Sequence, residues 1–159
     1  MPVTKVHAND HHSERGLIGH EPPRASDLSA RRNKNRARVL LVEDEDSFRE
    51  LLQTFLESEG FNVRSVADGH CGVRWLRANP VDVVITDLCM PNADGIELLM
   101  ELRRVRSAVP IIAMSGGVAG EMACMLRAAA LLGARCTLAK PFPLQQLAAA
   151  VHTLIPTAR

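Results

Sequence analysis

The chain of 159 residues favours one domain, and its 47% hydrophobic content allows one buried core, which must be aliphatic because only 3% of residues are aromatic. The net charge of +1 is too small to argue for nucleic-acid binding, and no apolar run approaches the roughly 20 residues of a membrane span. Four cysteines without C-x-x-C or C-x-x-H spacing predict buried, unpaired thiols in the reducing cytoplasm rather than a disulfide or zinc framework.

The amino-terminal segment differs in composition from the rest of the chain. Residues 1–38 carry eight basic and four acidic side chains, a net charge of +4, whereas residues 39–159 carry 11 basic and 14 acidic ones, a net charge of −3. A segment poor in apolar residues cannot bury enough surface to offset its ordering entropy. We therefore predict a disordered basic tail over 1–37, a folded domain over 38–155 and a short C-terminal tail over 156–159. The basic tail is expected to be solvated rather than to bind nucleic acid.

From Val39 onward, short apolar runs alternate with helical patterns. The run 39–42 is typical of a strand buried on both faces, and residues 61–66 alternate as an edge strand does. Gly60 and the pair Asn79-Pro80 are helix stop signals. The predicted strands are 39–42, 61–66, 81–87, 111–114 and 136–138, and the predicted helices are 47–58, 69–78, 95–105, 120–132 and 143–155, with Asp46 and Asp68 as N-caps of the first two.

Five β-α units in succession indicate the fold class. Strands that alternate with helices imply parallel pairing, right-handed crossovers and helices on both faces of the sheet. We therefore predict an α/β fold with a doubly wound, five-stranded parallel sheet. Because ligands of such sheets bind beyond the carboxyl ends of the strands, the side chains at those ends indicate the function.

The side chains at the predicted strand ends are polar. The first strand ends in four acids, residues 43–46, the third in Asp87 and the fourth in Ser115, while the fifth leads into Lys140. Converging carboxylates repel one another unless a cation neutralises them, and Mg²⁺ takes one or two carboxylates while leaving room for water and phosphate. A carboxylate in that position can attack phosphorus and form an acyl phosphate. Lys140 would supply positive charge to the phosphoryl oxygens, and Ser115 a hydroxyl.

Five segments of the chain resemble the receiver domain of two-component response regulators. They occur in the family's order, at intervals of the family's size, and the likeness covers about residues 38–155. The segments are V-L-L-V-E-D-E-D (39–46), V-V-I-T-D-L-C-M-P (83–91), D-G (94–95), I-I-A-M-S-G (111–116) and A-K-P-F (139–142). The resemblance implies a (βα)5 flavodoxin-like fold of the single-domain, CheY-like type, with strand order 2-1-3-4-5.

The resemblance also implies a role for each residue at the strand ends. Asp87 would accept the phosphoryl group and become 4-aspartylphosphate. Mg²⁺ would be bound directly by Asp44, Asp87 and the backbone carbonyl of Cys89, and by Glu43 through a water molecule. Ser115 would turn inward to the phosphoryl oxygen, and Lys140 would pair with the phosphate and precede a cis peptide bond to Pro141.

Two positions depart from the family pattern. Glu43 stands where the family commonly has Asp, a conservative change that should keep the metal site working. Thr137, three residues before Lys140, stands where the family commonly has Tyr or Phe. Because the serine part of the switch is present and the aromatic part is missing, we predict a smaller rearrangement around the last strand on activation.

The function implied by the resemblance is that of a stand-alone, non-enzymatic response regulator in a phosphorelay. Its partners would be a histidine kinase or histidine phosphotransfer protein and an unidentified output protein. One alternative is a metal-dependent phosphatase or phosphotransferase on a similar fold, but such enzymes usually have a second Asp where this chain has Cys89. Another is an FMN carrier, although the four acids after the first strand would repel its phosphate. A third is a pseudo-receiver that binds proteins without being phosphorylated.

The helix predicted over 120–132 is unusually apolar. It is expected to pack on the sheet through a buried stripe and to present small residues outward. The alternative is that its outer face, within the 120–155 region, docks a partner or a second copy in a weak homodimer, which an exposed Leu131 would favour. The residues of the predicted stripe are Met122, Met125, Leu126, Ala129 and Leu132.

Overall fold

The computed structural model describes residues 36–90, 93–106 and 108–155. Residues 1–35 of the predicted basic tail and the predicted C-terminal tail, 156–159, lie outside these ranges, so the domain boundaries stay predictions. The strands of the main sheet are β1 (Arg38–Val42), β2 (Asn62–Val66), β3 (Val83–Asp87), β4 (Ile111–Ser115) and β5 (Cys136–Ala139). The helices are α1 (Asp46–Ser58), α2 (Gly69–Ala78), α3 (Gly95–Val105), α4 (Ala119–Leu131) and α5 (Leu144–Leu154). Within the described ranges, no helix has the length and apolar character needed to cross a membrane.

The five strands form one parallel sheet. Their order is β2-β1-β3-β4-β5, with β2 at one edge. The predicted α/β fold, the strand order 2-1-3-4-5 and the edge position of the second strand are therefore confirmed. The carboxylate of Asp68 accepts a hydrogen bond from the backbone of Cys71 and caps α2, also as predicted.

Alternate residues of the central strands pack into cores on opposite faces of the sheet. Leu40 and Val84 belong to a core that α2, α3 and α4 cover, whereas Leu41 and Ile85 belong to a core covered by α1 and α5. Strands β3 and β4 are buried along their whole length. These strands appear in the sequence as continuous apolar runs because both of their faces are covered.

Three local predictions are wrong. The cysteines are free but not buried, and Cys89 and Cys124 are exposed. Asp46 is the first residue of α1 rather than its N-cap, and Glu45, which holds the N-cap position, makes no capping bond with its side chain. Leu132 is 36% exposed because α4 ends one residue before it. The errors at Asp46 and Leu132 concern side chains at the end of a helix, where local periodicity carries the least information.

An ion pair joins the amino-terminal ends of the strands. Arg38 donates to both carboxylate oxygens of Asp82, with Nε to Oδ2 at 2.9 Å and Nη2 to Oδ1 at 2.7 Å. The Arg38 backbone N–H also donates to Oδ2 at 2.8 Å. The hydrogen bond from the Arg38 side chain lowers the pKa of Asp82, against the opposing effect of burial.

Asp82→Asn is expected to lower the free energy of unfolding by about 1 kcal/mol near neutral pH. Because the pKa of the Asp82 carboxyl is lowered in the folded state, its contribution is complete above its ordinary pKa and disappears as the pH falls through the lowered value. Urea denaturation between about pH 7 and pH 3 should show the two proteins converging at the acidic end. An equal difference at every pH would contradict this assignment.

Candidate functional site

The topology brings the polar strand ends together. Glu43 and Asp44 follow β1, Asp87 ends the neighbouring β3, Ser115 ends β4, and Lys140 follows β5. Because the strands are parallel and adjacent, all of these residues reach the carboxyl-terminal rim of the sheet. The four elements involved are spread over about a hundred residues of sequence, so the cluster is a product of the strand order.

Three carboxylates lie close together at this rim. Oxygen atoms of Glu43, Asp44 and Asp87 all fall within 4.8 Å of one another. Glu43 is only 1% exposed and Asp87 only 4%, whereas Asp44 is half-buried. Buried carboxylates at this spacing repel one another and form an all-oxygen donor set, which fits a hard divalent cation such as Mg²⁺.

Lys140 places its side-chain ammonium group among the clustered carboxylates. Its Nζ donates to Asp87 Oδ2 at 2.6 Å and to Glu43 Oε2 at 2.8 Å. The same nitrogen lies 4.6 Å from the ring centroid of Phe48, and the Lys140 backbone N–H donates to the Ser115 carbonyl at 2.8 Å. The Lys140–Pro141 peptide bond is cis, as the resemblance implied. The position of the ammonium is thus defined by two carboxylates and an aromatic face.

The pKa values of two groups reflect this arrangement. Burial raises the pKa of the Glu43 carboxyl, an effect that the hydrogen bond from Lys140 opposes and the charge of Asp87 reinforces. Burial by itself would lower the pKa of Lys140, but its interactions with Asp87 and Glu43 together raise it. Lys140 is therefore positively charged at neutral pH and can form ion pairs with anionic oxygens.

Both carboxylate oxygens of Asp87 have a hydrogen-bond donor. Oδ2 accepts from Lys140, and Oδ1 accepts from the backbone N–H of Cys89 at 2.9 Å. Two short strands that the sequence did not predict follow β3, and in them Cys89–Met90 pairs antiparallel with Ala93–Asp94. The backbone of Cys89 is therefore held beside the Asp87 carboxylate, as a carbonyl ligand at this position would require.

Ser115 is fully buried and contacts the side chain of Cys89. Its Oγ lies 3.0 Å from the Cys89 Sγ, and the same sulfur donates to the Gly116 carbonyl at 3.3 Å. Thr137 lies two residues before the end of β5, where it pairs with Ala113, and is half-buried. The sequence placed Cys89 near the site through its backbone alone, so the thiol contact is a finding of the structure.

Arg49 is a second residue that sequence reasoning missed. One guanidinium nitrogen donates to the backbone carbonyls of Glu43, at 2.9 Å, and of Asp44, at 3.3 Å. Another pairs with the carboxylate of Asp46. Arg49 therefore links residues 43–44 to the first turn of α1 through hydrogen bonds. It also places a positive charge next to the backbone carbonyls of these two acids. The only sequence signal was an arginine three residues after an acid on a predicted helix.

Comparison with known proteins gives consistent matches. A family model described as the response regulator receiver domain matches residues 39–152. The sensor kinase CckA of Brucella abortus is 37% identical over 134 residues, which cover 83% of this chain and 13% of CckA. The cell cycle transcriptional regulator CtrA of Caulobacter vibrioides is 32% identical over 118 residues, which cover 74% of this chain and 50% of CtrA. The chain therefore spans half or less of the length of these curated relatives.

A solved structure gives the same match in three dimensions. The response regulator receiver domain protein from Clostridium thermocellum superposes with a TM-score of 0.69 at 29% sequence identity. The superposition covers 75% of this chain and 94% of that protein.

Proposed function

The chain belongs to the response regulator receiver domain family, and from this we propose that it accepts a phosphoryl group on Asp87 from a phosphohistidine. The donor would be a histidine kinase or a histidine phosphotransfer protein. The observation that carries the proposal is the convergence of Asp87, two further carboxylates and Lys140 within one rim of the sheet.

The proposed transfer needs a carboxylate oxygen of Asp87 that is fixed in position and able to attack phosphorus. An oxygen of Asp87 forms the new bond to phosphorus as the phosphorus–nitrogen bond of the phosphohistidine breaks, and the electron pair leaves with the imidazole. Lys140 stabilises the negative charge of the phosphoryl oxygens, and Ser115, which ends β4 at the same rim of the sheet, would donate its hydroxyl hydrogen to one of them. The half-buried position of Asp44 leaves the cluster open on one side for the incoming group.

We further propose that the acidic cluster binds Mg²⁺. Asp44, Asp87 and the Cys89 carbonyl would be the direct ligands, and Glu43, which already bonds Lys140, would contribute through water. The bound cation would neutralise the clustered carboxylates and the oxygens of the incoming phosphoryl group. Arg49 donates hydrogen bonds to the backbone carbonyls of Glu43 and Asp44. It thereby helps to orient the carboxylates of both residues toward the same cation.

An enzymatic role on the same scaffold is less well supported. A phosphatase of this chemistry needs a general acid beside its nucleophile, and the side chain two residues after Asp87 is the thiol of Cys89, bonded to Ser115. A pseudo-receiver would not need the lysine and carboxylates that are in contact here. We therefore propose a signalling acceptor rather than an enzyme, with an output given by protein binding.

The partner surface and the location are parts of the same proposal. Leu131, the last residue of α4, is 87% exposed, which supports docking of an output protein or a second copy on the 120–155 region. Concentration-independent sedimentation would count against the second copy. The four free cysteines support a reducing compartment, the cytoplasm.

Incubation with acetyl phosphate and Mg²⁺ tests the function directly. We expect intact-mass spectrometry to show the gain of one phosphoryl group, suppressed by chelation of Mg²⁺ and abolished in Asp87→Asn. Asp82→Asn is the matched control, because it makes the same replacement at the opposite end of the same strand region and should leave the gain intact. A wild-type protein that gains no phosphate, or an Asp87→Asn variant that still does, would reject the proposal.

Asp44→Asn is expected to weaken Mg²⁺ binding by about tenfold or more, because it removes one charge from the cluster. Glu45→Gln should change the affinity by less than about twofold, since this neighbouring acid is exposed and outside the cluster. Isothermal titration of the unphosphorylated proteins with MgCl₂ measures both. Equal losses in the two variants would mean that general loop charge, rather than a ligand set, attracts the ion.

A further inference from the structure

The sulfur of Cys89 contacts both Ser115 and Gly116, and one arrangement of hydrogens satisfies both contacts. The Gly116 carbonyl can only accept, so both contacts of the sulfur are hydrogen bonds only if the single hydrogen of the Cys89 thiol is donated to this carbonyl across the 3.3 Å contact. The sulfur then serves as the acceptor for the Ser115 hydroxyl at 3.0 Å. In this arrangement the hydroxyl hydrogen of the fully buried Ser115 points at the sulfur.

We propose that the Cys89 thiol is a latch that holds Ser115 in its resting position. For the Ser115 hydroxyl to bond a phosphoryl oxygen on Asp87, it must first leave the sulfur of Cys89. Cys89 is then a positioning residue, and it acts on the phosphoryl group through Ser115. This inference rests on the proposed function, because it concerns the state of the same site before phosphorylation.

The position of Cys89 suits this role. Its backbone N–H donates to Asp87 Oδ1 at 2.9 Å, so the main chain of one residue contacts the acceptor while its side chain contacts the serine. Cys89 is the exposed residue of the pair, and Ser115 is the buried one. Thr137 provides no aromatic group to move inward with Ser115. The hydrogen bond to the Cys89 sulfur therefore opposes the movement of the serine.

Binding of beryllium trifluoride with Mg²⁺, a mimic of the phosphoryl group, tests the latch. Cys89→Ala is expected to bind the mimic about two- to fivefold more tightly, because the serine no longer gives up a hydrogen bond. Cys89→Ser keeps a donor and an acceptor at this position and should bind no more tightly than the wild type. The exposed Cys124→Ala is the matched control and should leave the affinity unchanged.

A double-mutant cycle separates the latch from a general effect on the loop. In a Ser115→Ala background, Cys89→Ala should no longer change the affinity for the mimic. The inference is overturned if Cys89→Ala binds like the wild type, or if its effect persists undiminished without the serine. A wild-type protein that binds no mimic would instead overturn the proposed function, and the latch with it, so the two failures are distinguishable.

Discussion

Lys140→Met is expected to slow phosphorylation of Asp87 by at least about 100-fold, the typical cost of removing one group that stabilises charge in the transition state. The methionine keeps the length of the side chain and its contact with Phe48 but removes the ammonium that lies 2.6 Å from Asp87. It also leaves Glu43, only 1% exposed, without the counter-charge that lies 2.8 Å away. The rate of mass gain with acetyl phosphate and Mg²⁺ measures the effect.

The same replacement should destabilise the protein, because it breaks a buried ion pair and leaves uncompensated charge. A loss of about 3 kcal/mol in the free energy of unfolding is expected in the absence of divalent ions. Lys140→Arg retains the charge and should lose less of both stability and rate. Arg127→Met, at an exposed position of α4, is the control for removal of one positive charge. A Lys140→Met variant that is phosphorylated at the rate of the wild type would contradict the role given to the ammonium.

Gly95→Ala is expected to destabilise the fold by on the order of 3 kcal/mol and to disturb the phosphoryl site as well. A Cβ at Gly95 would overlap the backbone of Leu88, with the carbonyl carbon at 2.6 Å. Backbone atoms cannot relieve this overlap by changing rotamer, as a flexible side chain can. Either α3 or the segment after β3 must therefore move. Leu88 directly follows Asp87, and its N–H donates to the Met114 carbonyl at 2.8 Å.

Gly120→Ala provides the contrast within the same protein. Gly120 lies in α4 with nothing within 4 Å of an added Cβ, so alanine there should be neutral or should stabilise by up to about 1 kcal/mol. Urea denaturation of both variants gives the two free energies. If Gly95→Ala were as stable as Gly120→Ala, the close approach of α3 to Leu88 would be wrong, and with it the reason for glycine at this motif position.

The pattern of apolar residues was sufficient to predict the fold class, an α/β protein with a parallel sheet. A strand buried on both faces, such as β3, requires a continuous apolar run, and an amphipathic helix such as α1 requires a period near 3.6, so both are recorded locally. The five successive β-α units then predicted a parallel sheet. The residues that follow or end its strands at the carboxyl side were the candidate site residues Glu43, Asp44, Asp87, Ser115 and Lys140. The order of strands came from family resemblance rather than from periodicity.

The sequence by itself determined which elements form and which residues stand at the ends of the strands, because those features depend on neighbours within a few positions of the chain. Only the tertiary structure decided which polar atoms meet. The thiol of Cys89 contacts Ser115, 26 residues away, and Lys140 contacts Glu43 across 97 residues. A hydrogen bond depends on tenths of an ångström between segments whose separation is set by the packing of the whole core, and no local pattern encodes that distance.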